Sequence, residues 1–262
     1  MSGASGAGRV VDLNADVGEA GDEAGIAVER ALLGLVTSAH VACGGHAGDQ
    51  ASMRATVLAA LHNGVRVGAH PSYPDRAGFG RQPMEMAFGE LQSALRAQLG
   101  DLIAVAEGCG TSVGSVKPHG ALYADVARGG VACVALLGVM AELCHPDTPL
   151  VLPAGAPARP LVKEMGLATL AEGFCDRAYT ADGKLQSRQE AGSVFADPAQ
   201  AAAQAISLAR DGTVVAHDGT VLTLRVDTLC LHGDSPQAAA MATAVRRAFA
   251  AAGIAVTAAL AP

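Results

Sequence analysis

An α/β fold built on a parallel sheet is what this sequence predicts, and three observations predict it. Strand-like and helix-like segments alternate from Arg9 to the C-terminus, the pattern of repeated βα units. The chain has 262 residues, and α/β barrels of about 250 residues routinely form one domain. Its residues are 50% hydrophobic and 16% charged, a globular composition whose Ala and Val suit helices packed closely on a buried sheet. No fixed-period repeat or Pro/Ser-rich linker divides the chain, so residues 9–262 are expected to form a single domain behind a disordered tail at 1–8. About seven strands suit either a closed barrel or an open doubly wound sheet.

The elements follow in order. Arg9–Asn14 is a Val-rich strand, residues 25–36 a short helix and Ser38–Cys43 a second strand. Asp49 is placed to cap a helix through Asn63, its carboxylate accepting from free backbone N–H groups. Arg66–His70 is strand three, Met84–Glu107 a long helix, Ser115–His119 strand four and 129–144 a helix. The second half continues with strand five at Pro149–Leu152, a helix near 157–165 and strand six at Thr169–Phe174. A polar loop at 176–192 leads to a helix over Asp197–Arg210. Thr213–Ala216 and Val221–Arg225, joined through Asp218-Gly219, read as a hairpin. Thr228–Leu231 is strand seven, Ser235–Ala252 a helix capped by Ser235, and Val256–Leu260 a last short strand.

Composition excludes several function classes. The formal net charge is −7, and no Lys/Arg cluster could neutralise successive phosphates, so nucleic acid is not an expected partner. Trp is absent and aromatics make up 3%, which leaves no base-stacking platform. The longest apolar run, 129–141, ends at Glu142 and falls short of the roughly 18–20 residues a membrane span needs. The six cysteines are scattered without a CxxC pair, and residues 1–8 carry neither a basic nor an apolar signal region. Reduced thiols and a cytoplasmic chain are therefore expected.

Polar residues gather where strands end. Asp12, Asn14 and Asp16 alternate with Val11, Leu13 and Ala15, so they share one strand face. Strand three ends at His70, and strand four carries Lys117 and His119. Strand six holds Glu172 and runs into Asp176-Arg177, and strand seven runs through Cys230 to His232 and Asp234. Barrels and open sheets alike bind ligands at the C-terminal strand ends, and burying charge costs free energy unless it is paired. A shared site explains so many charged strand ends better than packing does. His46, in the Gly-rich SAHVACGGHAGD at 38–49, is an acid/base or metal-ligand candidate, whereas His40 and Cys43 read as packed strand residues. Arg76 and Arg81 lie in the Gly-rich GAHPSYPDRAGFGR at 68–81, suited to carboxylate or phosphate. Neither GxxxxGK[ST] nor a strand-following GxGxxG occurs, and there is no GxSxG elbow.

Taken as an ordered set, DLNADVGE (12–19), SAHVACGGHAGD (38–49), GAHPSYPDRAGFGR (68–81), VKPHGALY (116–123), EGFCDRAYTADGKLQSR (172–188) and TLCLHGD (228–234) resemble the LamB/YcsF family. The chain departs from that family's pattern at His40, Gly45 and Ser187, where Asn, an aromatic and Pro are commoner. The resemblance implies a TIM-like β/α barrel of seven strands, related to glycoside hydrolase and deacetylase barrels. It implies hydrolysis of the lactam of 5-oxo-L-proline to L-glutamate, coupled to ATP cleavage, together with partner subunits B and C.

Such chemistry needs a cation for phosphate, a base for water, an acid for the ring nitrogen and a clamp for the carboxylate. Lys117 and Arg81 are assigned to phosphate, Asp16 with His70 or His119 to base and acid, and Arg76 or Arg177 to the carboxylate. His46 completes the catalytic candidates. Asp12, Asn14, Glu172, His232 and Asp234 complete the substrate-binding ones, and Mg²⁺ enters with ATP. Two alternatives stand beside this reading. One is a stand-alone metal-dependent amidohydrolase or deacetylase, with Zn²⁺ on Asp16, His46 and His70 and Asp12 as base. The other is a non-catalytic carrier of 5-oxoproline.

Overall fold

Parallel strands curl into a barrel in the computed structural model, which describes residues 9–233 and 237–259. The elements are β1 (Val10–Val17), α1 (Glu23–Leu33), β2 (Ser38–Ala42), α2 (Gln50–His62), β3 (Arg66–His70) and α3 (Phe88–Gly108). Next come α4 (Gly120–Arg128), α5 (Val131–Leu143), β4 (Leu150–Pro153), α6 (Arg159–Glu164), β5 (Thr169–Phe174) and α7 (Pro198–Ile206). The hairpin β6 (Thr213–Val215) and β7 (Val221–Thr223), then β8 (Thr228–Leu231), α8 (Ala238–Ala252) and β9 (Ala255–Val256) complete the order. The barrel strands run β3-β2-β1-β8-β5-β4, every pair parallel. Between β3 and β4, Val116 bridges to Ala69 on one side and Leu150 on the other. The 114–119 segment is thus the last stave of the expected seven-strand barrel, and β9 pairs with the start of β1.

The expected strand at Ser115–His119 is reduced to that bridge. Lys117 N–H still reaches Ala69 O and His119 N–H reaches Pro71 O, both at 2.8 Å. On the side facing β4, Val116 N–H reaches Pro149 O at 3.0 Å, but Pro118 has no N–H, so that ladder goes no further. The single helix expected at 129–144 begins at Val131 and is preceded by a separate helix, α4. Gly129 between them takes the left-handed conformation, φ 84°, and the two axes bend by 98°. No single helix among the described residues is long and apolar enough to cross a membrane. Helix α3 starts at Phe88 rather than Met84, and α7 passes at Ser207 into a π turn ending at Asp211. The Ser235 cap and the far end of the expected last strand lie outside the described residues.

Period-two patterning positions the site. Val11, Leu13, Ala15 and Val17 of β1 are buried in the apolar core. The opposite face turns Asp12, Asn14 and Asp16 into the barrel. Asp49 caps α2 as expected: its carboxylate accepts from Ser52 N–H at 2.8 Å and Ser52 Oγ closes a reciprocal capping box. That cap anchors the Gly-rich loop carrying His46.

Candidate active site at the barrel mouth

The inward residues of β1 stand at successive heights. Asp12 lies at the N-terminal end, where Thr37, Ser38 and Thr228 hydroxyls donate to its carboxylate. Burial raises its pKa, and those donors oppose the rise. Asn14, one layer up, donates to Glu172 Oε1 at 3.1 Å and Thr228 Oγ1 at 2.7 Å. Asp16, another layer up, reaches the mouth.

Lys117 joins the middle and upper layers. Its Nζ is 2.9 Å from Asp16 Oδ1 and 2.8 Å from Glu172 Oε1, with Asn14 Oδ1 at 3.3 Å and Cys230 Sγ at 3.2 Å. Burial works against the ammonium, but Asp16, Cys230 and Glu172 outweigh it and hold its pKa well above the ordinary lysine value. Burial likewise works against the Asp16 carboxylate. His70 and Lys117 outweigh it and hold its pKa well below the usual range. Tyr123 donates to the other Glu172 oxygen at 2.5 Å. An ammonium held this way has two carboxylate partners already, so the expected direct role of Lys117 on phosphate gives way to one on Asp16.

Four side chains from separate segments, the end of β3 and three loops, meet beside Asp16. Glu19 Oε1 lies 2.9 Å from His46 Nε2, 3.2 Å from His119 Nδ1 and 3.6 Å from His70 Nε2. His70 Nδ1 is 2.7 Å from Lys117 O, and His119 Nε2 is 2.9 Å from Phe79 O. His46 stacks on His119 with centroids 3.7 Å apart. Burial lowers the pKa of His46 to about 4, against the pull of Glu19. It lowers that of His119 too. Burial also opposes protonation of His70, but Asp16 and Glu19 outweigh it, so its pKa is raised.

Longer loops form the rim. Arg81 stacks over Phe79, 4.9 Å from the ring centroid, and Phe79 itself sits at φ 54°, a conformation a bulky side chain resists. Gly120 at the start of α4 allows that loop its approach. Its φ is +57° and a Cβ there would lie 2.4 Å from Gly80 O. Arg177 donates to Ser193 O at 3.1 Å and Gln186 O at 2.6 Å. His232 Nδ1 faces the Asp176 carboxylate at 3.0 Å, and its ring stacks on Phe174 at 5.7 Å. Burial raises Asp176, but His232 more than reverses this, leaving the carboxyl below its ordinary value.

One cavity of about 690 Å³ opens on these groups. Of the residues the sequence points to, Asp16, His70, Lys117 and His119 line its floor, and Arg81, Arg177 and His232 its walls. Others do not. Asp12 is at the opposite end of the barrel, too far down for substrate or for a base, because β1 is longer than its predicted six residues. Asn14 and Glu172 lie beneath the floor, spent on Lys117 and Thr228. Arg76 donates to Gly44 O at 3.0 Å and Gly48 O at 2.7 Å, so it ties the Gly-rich loop and is not a carboxylate clamp. His46 sits behind His119, and Asp234 lies outside the described residues. His40, read as packed, is 1% exposed inside the barrel, its Nε2 3.1 Å from Ser115 Oγ and its Nδ1 without a hydrogen-bond partner. Glu19, Tyr123 and Arg188 line the cavity without having been singled out from sequence. Glu19 and Tyr123 end two of the motifs, past the strand whose period tells inside from outside.

The sequence pattern of the LamB/YcsF family matches residues 11–261. A protein from Chloroflexus aggregans, named as the A subunit of 5-oxoprolinase, is 46% identical over 246 residues, covering 94% of this chain and 97% of its own. The crystal structure of a lactam utilization protein from Thermus thermophilus superposes with a TM-score of 0.86 at 38% identity, covering 95% of this chain and 99% of its own. A family 4 carbohydrate esterase from Streptomyces lividans, in complex with acetate, superposes at 0.51 with 12% identity, covering 95% of this chain and 91% of its own. That last likeness is one of fold alone.

Proposed function

The chain belongs to the LamB/YcsF family, and on that premise we propose that it is the A subunit of an ATP-dependent 5-oxoprolinase. The reaction opens the lactam of 5-oxo-L-proline to L-glutamate and cleaves ATP to ADP and phosphate. The observation that carries the reading at the site is the division of one cavity. Guanidinium side chains of Arg81, Arg177 and Arg188 line its walls, and the carboxylates, imidazoles and ammonium of Asp16, Glu19, His70, His119 and Lys117 its floor. Such a cavity suits a small substrate with an anionic end and a reacting centre that needs proton transfers.

A lactam carbonyl is a poor electrophile because the ring nitrogen donates into it. Transfer of the γ-phosphoryl group of ATP to the carbonyl oxygen releases ADP and turns the lactam into an O-phosphorylated imidate, whose carbon is a much better electrophile. Water then adds at the carbonyl carbon and the C–N bond breaks, giving an acyl phosphate and a free amine. A second water releases phosphate and leaves glutamate. Mg²⁺ accompanies ATP as part of the co-substrate. Arg81 and Arg188 take phosphate oxygens, and Arg177, oriented by Ser193 O and Gln186 O, takes the substrate carboxylate. Asp16, kept ionised by Lys117 and His70, accepts the proton of the attacking water. His232, oriented through Nδ1 by Asp176, gives a proton to the departing nitrogen.

A relative named as one component of an enzyme implies others, and we assign the partners as subunits B and C, in the cytoplasm. The deciding experiment is a tagged pull-down assayed for glutamate from 5-oxoproline with and without ATP. ATP-dependent glutamate from the eluate, with none from the isolated chain, is the expected result. Glutamate from the isolated chain without ATP overturns it in favour of a stand-alone hydrolase. In the active complex, Arg177→Ala is expected to raise KM for 5-oxoproline about tenfold or more, and Asp176→Asn to lower kcat by roughly 10²–10⁴.

A further inference from the structure

The histidines at the floor are arranged around something they do not themselves supply. A backbone carbonyl only accepts, so His70 Nδ1, 2.7 Å from Lys117 O, must carry its proton, and so must His119 Nε2, 2.9 Å from Phe79 O. In the neutral form that a metal ligand requires, which a bound cation would favour over the imidazolium beside Asp16, His70 Nε2 and His119 Nδ1 are both lone pairs, and they face each other at 3.0 Å. The rings are nearly perpendicular, at 84°, so the lone pairs converge instead of running side by side. Glu19 Oε1 adds a third donor atom, 3.2 Å from His119 Nδ1 and 3.6 Å from His70 Nε2.

We propose that Glu19, His70 and His119 hold one divalent transition-metal ion, with its open coordination position facing the cavity. Donor atoms about 2.0–2.1 Å from a tetrahedral ion stand about 3.4 Å apart, and these separations span 3.0 to 3.6 Å. Two imidazoles and one carboxylate suit Zn²⁺ and its first-row neighbours. Each histidine gives its second nitrogen to a carbonyl, as metal-binding histidines do. All three ligands line the cavity, the condition for a site that keeps a place for water or substrate.

This set differs from the Asp16, His46 and His70 set that sequence suggests. His46 lies in a plane within 5° of the His119 ring and 3.7 Å from its centroid, so both rings cannot aim at one ion. It serves as a positioning residue for Glu19, at 2.9 Å. Asp16 has one oxygen held by Lys117 and the other 3.4 Å from His70 Nε2, but it does not join the cluster of donor atoms that Glu19 forms with the histidines. An ion at this place would polarise a bound water or the substrate carbonyl next to Asp16.

The test uses the full chain, stripped with chelator and titrated with Zn²⁺ by calorimetry and with Co²⁺ by visible absorption, without substrate or ATP. The result bears on the metal centre whether or not the lactam reading holds. The expected outcome is one ion per chain, with a four-coordinate Co²⁺ spectrum. Affinity should fall at least a hundredfold in Glu19→Gln and in His119→Gln, and stay unchanged in His62→Gln, which alters an exposed residue on α2. Circular dichroism melting separates loss of the site from loss of the fold. Should His119→Gln not fold, the near-isosteric Glu19→Gln still decides. No stoichiometric binding by the wild-type chain overturns the proposal, as does equal affinity in folded wild-type and variant proteins. The facing nitrogens would then share a proton instead.

Discussion

Lys117 shows how a single residue ties stability to chemistry. It is 2% exposed and sits between two carboxylates. Removing it strands Asp16 and Glu172 as buried like charges, so Lys117→Ala is expected to cost about 3–5 kcal/mol of stability, read by urea unfolding. Activity lost in that variant therefore reports on folding as well as on the site. Lys117→Met with Glu172→Gln is expected to recover the part of that loss due to Glu172, while the part due to Asp16 remains. His40 supplies a second prediction. Burial, helped by nearby Lys117, holds its pKa well below the ordinary value of 6.5. The unfolded chain therefore binds more protons than the folded one below pH 6.5, and stability falls as pH drops from there. His40→Asn is expected to flatten that fall by up to about 1.4 kcal/mol per pH unit. Thermal melting at pH 7, 6 and 5 measures it, and an unchanged slope would assign the acid sensitivity to other groups.

At the scale of elements, capping and glycine geometry make separate demands. Asp49→Ala removes the exposed cap of α2 and is expected to cost about 1 kcal/mol, visible as a lowered melting temperature. Gly120→Ala is expected to cost more than Gly166→Ala. Both positions have positive φ, but a Cβ at 166 meets nothing within 4 Å, whereas one at 120 meets the Gly80 carbonyl. Equal losses would mean the loop moves freely away from α4. The contrast also explains what was legible in the sequence. Strands β3, β5 and β8 match their predicted ranges, because a short apolar run bounded by turn residues is a local signal. Helix α4 was not legible, since it opens on Gly120 with no side-chain cap from His119 and so carries no helix-start signal. Nor was the single-residue stave at Val116, which depends on partners in β3 and β4.

At the scale of the whole molecule, the barrel gathers groups that lie far apart in the chain. Glu19 and His119 are a hundred residues apart in number, yet their donor atoms stand 3.2 Å apart. The cavity they share with the arginine walls is the basis for the 5-oxoprolinase reading, and ATP-dependent glutamate release by the assembled complex is the whole-molecule prediction. The sequence by itself determined the alternation of units, the face of β1 that turns inward, and most of the residues that bear chemistry. Strand period, caps and charged strand ends are local properties, written within a few neighbouring residues. Only the tertiary structure decided the depth of each residue in the barrel and the direction of each donor atom. It put Asp12 at the closed end and Arg76 on backbone carbonyls, and it placed Glu19 among three histidines. Depth and direction depend on strand stagger and on loops whose course is set by distant partners, and no pattern within a single segment records them.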